Sequence, residues 1–182
     1  MSQWSSSYLE QALGIPKVWG DVCGVAVFAA ALGLGRTLYS KYGKNIHAVL
    51  AVSAVGATVC YLTAAVSSIP LVGLAACALT GLCTAMLWPG SLIVASDKFP
   101  AAGVAMFAAG GDLGGAIGPQ LVGSIADWAL TGERIRSLSS VLSLTTEQLS
   151  MKIGLTSVII FPLCATVLYV KNWRDESRKN TQ

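Results

Sequence analysis

The chain has 182 residues, of which 54% are hydrophobic and 12% charged, with a formal net charge of +3 at pH 7. Soluble domains carry about 25% charged residues, so too few polar side chains remain here to cover a water-facing surface. The weak charge and the lack of a basic cluster interleaved with aromatics exclude nucleic acid as a partner. The long apolar runs name the lipid bilayer instead.

The N-terminal stretch "MSQWSSSYLEQALG" has no basic region followed by an apolar one, so it is not a signal peptide. Five segments after it are apolar enough and long enough to span a membrane, over residues 17–36, 46–67, 70–96, 101–129 and 150–170. Helix is the expected state, because strands that do not close a barrel leave backbone groups unpaired in lipid. The fold class is therefore all-α, a polytopic transmembrane helix bundle over residues 17–170, with a basic tail over 171–182.

The connections fit that division. Pro70 and Pro100 open the third and fourth spans. The polar loop over 130–149 ends in Thr145-Thr146-Glu147-Gln148, a capping-box spacing that starts the fifth helix near residue 146. One side of the bundle collects Arg36, Lys41, Lys44, Lys98, Lys171, Arg174, Arg178 and Lys179, and the other Lys17, Arg134, Arg136 and Lys152. The first side is expected to be cytoplasmic, in the cell membrane, with the N-terminus outside and the C-terminus inside. An odd number of spans with an outside N-terminus and no signal peptide implies that something normally precedes residue 1.

Cys23, Cys60, Cys77, Cys83 and Cys164 all fall inside apolar runs with no C-x-x-C pair, and they read as small hydrophobes. The one histidine, His47, has no partners at metal-ligand spacing and reads as interfacial. No metal site, no cofactor and no enzymatic constellation is expected. No G-x-x-x-x-G-K-[ST] loop is present, so ATP is not the direct energy source.

The fourth span is the informative one. In "MFAAGGDLGGAIGPQLVGS", Asp112 lies among glycines. At about 1.5 Å per residue from position 101 it is about 16 Å deep, near the middle of an apolar core about 30 Å thick. A carboxylate there costs about 2.5–3.5 kcal/mol on insertion scales. Two readings stand: Asp112 serves a substrate or proton pathway, or it is a packing aspartate held across the glycine face. Gly110, Gly114 and Gly118 form a smooth i, i+4 face for close helix packing, and Pro119 bends the helix. Asp21 pairs with Lys17 at i, i+4 or joins the pathway. Gln120 and Trp88 are candidates to line a cavity, and Trp88-Pro89 is equally a kink with a packing indole. Asp127 reads as interfacial, and Trp128 and Trp173 as interfacial anchors.

Two motifs carry a family resemblance. Lys41, Gly43 and Lys44 match the R, G and R positions of the short cytoplasmic G-x-x-x-D-R-x-G-R-R motif of the major facilitator superfamily. Ser40 stands for its acidic residue, Arg36 for its first glycine and Asn45 for its last basic residue. Gly114, Gly118, Pro119 and Gly123 resemble the glycine–proline helix found fifth in each half of such transporters, one residue off in spacing. The order and direction of the five spans resemble helices eight to twelve of a twelve-helix transporter, and residues 1–16 then resemble the outer loop and the remnant of a preceding helix.

This resemblance implies transport of a small solute by alternating access, with H⁺ as the expected coupling ion. It also implies that an N-terminal half or a partner chain supplies the rest. The alternative is a five-span membrane scaffold or split-transporter subunit that binds other helices through its glycine faces and has no transport activity of its own.

Overall fold

The computed structural model of the chain describes Glu10, Pro16, Val18 and residues 25–67, 69–132, 135, 139 and 145–179. Within them the elements run α1 (Val27–Tyr42), α2 (Ile46–Val66), α3 (Pro70–Thr84), α4 (Leu87–Lys98), α5 (Ala101–Thr131), α6 (Thr146–Ser157) and α7 (Ile160–Lys179). No strand occurs among the described residues. Four continuous or nearly continuous helical stretches are long and apolar enough to cross a membrane: Ile46–Val66, Leu71–Lys98, Ala101–Thr131 and Thr146–Lys179. The first expected span lies partly outside the described residues.

The packing is inside-out relative to a water-soluble bundle. On α2 the buried residues are Leu50, Ala51, Ala54, Ala57, Thr58, Ala64 and Ala65. Its large side chains Val52, Val55, Val59, Leu62 and Val66 point outward. Small residues inside let helix backbones approach, and van der Waals contact holds them where lipid removes the hydrophobic drive between helices. Branched chains outside meet acyl tails. α2 is the hub, packed against α3, α7, α4 and α6, while α1 lies on α3 and α5 pairs with α6. Ala64, Ala76, Cys77, Met151 and Leu155 form a core where α2, α3 and α6 meet. Cys60, Cys77, Cys83 and Cys164 are free thiols, with Cys77 fully buried and Cys164 exposed. Cys23 is outside the described residues.

Local chemistry fixes the ends. Pro70 opens α3, and Pro100 stands just ahead of α5. The capping box expected at α6 is present: Thr145 Oγ1 accepts from the Gln148 amide at 3.1 Å, and Gln148 Oε1 accepts from the Thr145 amide at 3.1 Å.

Helix and expected span differ in two places. α1 continues past residue 36 to Tyr42, because no breaker occurs before Gly43, whose amide closes the last turn on the Tyr39 carbonyl at 2.7 Å. The third span is present as one apolar stretch, Leu71–Lys98, divided into α3 and α4 by a turn at Ala85–Met86. Pro89 causes the break. It has no N–H to give the carbonyl of Ala85, four residues back, and its ring crowds that carbonyl. The Arg36 Nε of α1 donates to the Ala85 oxygen instead, at 3.3 Å.

The fifth span breaks the same way at Val158–Ile159, ahead of Pro162. There the Val158 carbonyl takes the Phe161 amide in a tightened turn at 3.1 Å. The buried Thr58 of α2 sits against this break, with its Oγ1 3.0 Å from the Pro162 carbonyl and 2.9 Å from Thr166 Oγ1. A threonine has one proton to donate. Thr58 therefore donates to Pro162 or to its own Ala54 carbonyl at 2.9 Å, and accepts from Thr166.

Candidate functional site

α5 is 31 residues long, about 46 Å at 1.5 Å per residue. Its two halves differ. The C-terminal half packs on α6: Val122, Ala126 and Ala129 are buried, and the buried Gly154 of α6 brings the Val122 carbonyl close. The N-terminal half has one close anchor. The Trp88 ring lies on Gly111, where any Cβ would overlap it, and stacks on Phe107 with ring centroids 6.4 Å apart and 14° between planes. Trp88 stands just after the break at Ala85–Met86, next to Pro89.

Asp112 follows Gly111 directly and is exposed among the described residues. Its neighbours one turn away on α5 are Ala108, Ala109, Gly115 and Ala116. A carboxylate among such small side chains is open to water or to a donor from another chain. Gln120 is exposed as well, about 12 Å further along and turned by about 80°. Asp127 is exposed near the end of the helix. Asp21, the other expected pathway residue, lies outside the described residues.

Among the described residues the glycine face meets no other helix. A Cβ added at Gly110, Gly114, Gly115 or Gly118 would find nothing within 4 Å. Pro119 lies inside an unbroken helix, in contrast to Pro89 and Pro162, and Gly123 is half-buried in the following turn. The packed glycine is Gly111, which lies outside the Gly110, Gly114 and Gly118 face. Its partner, an indole 23 residues upstream, could be found only once the break near Pro89 was known.

The loop motif is shorter than expected. Lys41 belongs to the last turn of α1, and its Nζ lies over the Tyr42 ring, 5.3 Å from the centroid. A Cβ on Gly43 would collide with the Tyr39 ring, so glycine is required there for packing. Lys44 is exposed, and Asn45 caps α2 by accepting from the Ala48 amide at 3.2 Å.

At that same end of the bundle a polar network joins three helices, which sequence reasoning missed. Lys98 at the end of α4 donates to Asn172 Oδ1 of α7 at 3.2 Å, and Asn172 Nδ2 lies 3.1 Å from His47 Nδ1 at the start of α2. The lysine fixes the amide so that its NH₂ faces the imidazole, and His47 Nδ1 is then the acceptor. Lys98 and Lys179 also flank Glu176, at 3.9 and 3.2 Å. Beneath this network a cavity of about 280 Å³ opens between α4, α5 and α7. Its walls include Val94, Phe99, Phe107 and Leu168, and Ser91 is hydrogen-bonded to Tyr169 among its lining residues. At the opposite end of the bundle the buried Lys152 donates to the Ser67 carbonyl at 2.9 Å and ties α6 to the end of α2.

No family model, curated protein or solved structure matches the chain.

Proposed function

We propose that the chain is part of a secondary transporter of the major facilitator type, moving a small solute by alternating access, with Asp112 in the substrate or proton pathway. The observation that carries this reading is the position of Asp112. It is exposed, eleven residues into α5, the longest of the described helices, and so at mid-depth if α5 starts at the membrane face as expected. Intramembrane carboxylates face a bundle interior or a water-filled cavity, so the surface around Asp112 is the one that a second half would close over. The interrupted helices support the same reading, since transporters build midplane sites beside discontinuous helices. Trp88, which stands just after one such interruption and lies on the neighbouring Gly111, supplies an aromatic wall. No catalytic residue, metal or cofactor enters.

The test needs no substrate. In a background with all five cysteines replaced, Asp112→Cys and Leu113→Cys are treated with a membrane-impermeant thiol reagent in vesicles. Asp112→Cys is expected to react at least about tenfold faster. Equal rates would remove Asp112 from an aqueous pathway.

The open face of Gly110, Gly114 and Gly118 favours a second reading, a scaffold that docks another membrane helix. Cross-linking of Gly114→Cys into a dimer or to one partner, together with an unreactive Asp112→Cys, would put that reading first.

A further inference from the structure

α7 continues as helix past its apolar part to Lys179. Lys171, Arg174 and Arg178 follow one another at i, i+3 and i+7, on one face. A groove of about 450 Å³ runs along that face. Its lining among the described residues includes Val167 and Val170 at the apolar end and Lys171, Arg174 and Arg178 at the other, with Asp175 between the cations. The ion pairs among the described residues join Glu176 to Lys98 and Lys179, which leaves these three cations outside them. Trp173, 38% exposed, marks the same level as the boundary between tails and headgroups.

A groove that is apolar at one end and triply basic at the other has the polarity of a phospholipid. We propose that it holds one anionic membrane phospholipid. The phosphate lies against Lys171, Arg174 and Arg178, where two guanidinium forks suit its oxygens, and an acyl chain runs along Val167 and Val170. Asp175 within the cation cluster selects a headgroup that also offers a donor, a hydroxyl or an ammonium, and disfavours a free polyanion. The proposal is independent of the transport reading.

The test uses the full chain in phosphatidylcholine nanodiscs, titrated with phosphatidylglycerol carrying brominated acyl chains and read by tryptophan quenching and by native mass spectrometry. Phosphatidylglycerol is expected to bind at least about tenfold more tightly than brominated phosphatidylcholine. Lys171→Gln, Arg174→Gln and Arg178→Gln should each weaken it about fivefold, and the triple variant about a hundredfold. The paired Arg174→Lys and Arg178→Lys substitutions should keep most of the preference. Circular dichroism confirms helix content, and the single variants carry the test if the triple variant does not fold. Equal binding of the two lipids, or unchanged preference in the neutralised variants, overturns the proposal. Displacement of the lipid by millimolar glycerol phosphate would mean a phosphate site, and it overturns the lipid assignment.

Discussion

Neighbouring glycines on α5 do opposite things. Gly111 makes room for the Trp88 ring, whereas Gly110 faces open space. An added methyl at Gly110 only removes backbone freedom, which favours helix by about 0.5–1 kcal/mol. The same methyl at Gly111 must push the indole off Phe107, an overpacking cost of about 1–2 kcal/mol. Gly110→Ala is therefore expected to raise the thermal midpoint of the purified chain and Gly111→Ala to lower it. Two shifts of the same sign would refute the assigned packing. Thr58 makes a second case. Thr58→Val keeps the shape but leaves Thr166 and the Pro162 carbonyl to find other partners, and hydrogen bonds between membrane helices average about 0.6 kcal/mol. A loss of about 1 kcal/mol is expected in denaturant titration, and a smaller loss in a chain that already carries Thr166→Val, where only the bond to the Pro162 carbonyl is left to remove.

At the scale of the helix, two spans are broken by the same device and one is not. Pro89 and Pro162 each follow a break by three residues, while Pro119 rides inside α5 without one. At each break the orphaned carbonyl has a receiver: for Pro162 it is the Phe161 amide. For Pro89 it is Arg36, from another helix. That pairing predicts coupling. In the natural chain Arg36→Gln should cost about 1 kcal/mol, within the range for a single hydrogen bond. With Pro89→Ala the amide at 89 can close on Ala85, and the cost of Arg36→Gln should vanish. A double-mutant cycle on unfolding free energies measures this, and additive effects would disprove the Arg36 cap.

Helix locations were legible in the sequence because a run of about 20 apolar residues has one solution in lipid. The capping box at Thr145 and the proline at the start of α3 were legible because they act within one turn. The breaks were not. The sequence offers a kink at Trp88-Pro89 and no sign of one at Pro162, and proline alone does not say whether a helix bends or parts, as Pro119 illustrates. The His47, Asn172 and Lys98 network was invisible for another reason: its members come from three helices, 125 positions apart at the extremes.

Taken as a whole molecule, the chain buries small residues and leaves one acidic surface uncovered. Among the described helices α3, α4, α6 and α7 pack around α2 and α1 lies on α3, while the N-terminal half of α5 is held mainly through Trp88. Asp112 was singled out in the sequence for its expected depth, and the fold adds that it is exposed among the described residues. If lipid covered that surface, Asp112 would weigh against the isolated chain by about 2.5–3.5 kcal/mol. Asp112→Leu should then stabilise the isolated chain by roughly that amount in a detergent-denaturation titration. If water or a partner reaches the carboxylate, most of that cost is already relieved and the gain should fall below about 1 kcal/mol. In either case the leucine removes the only charge in the middle of α5, so a transporter assembled with this chain should lose pH-driven solute uptake while its fold is kept or strengthened. Sites that bind or move protons trade stability for function in this way. A variant that is both more stable and fully active would show that Asp112 takes no part in transport.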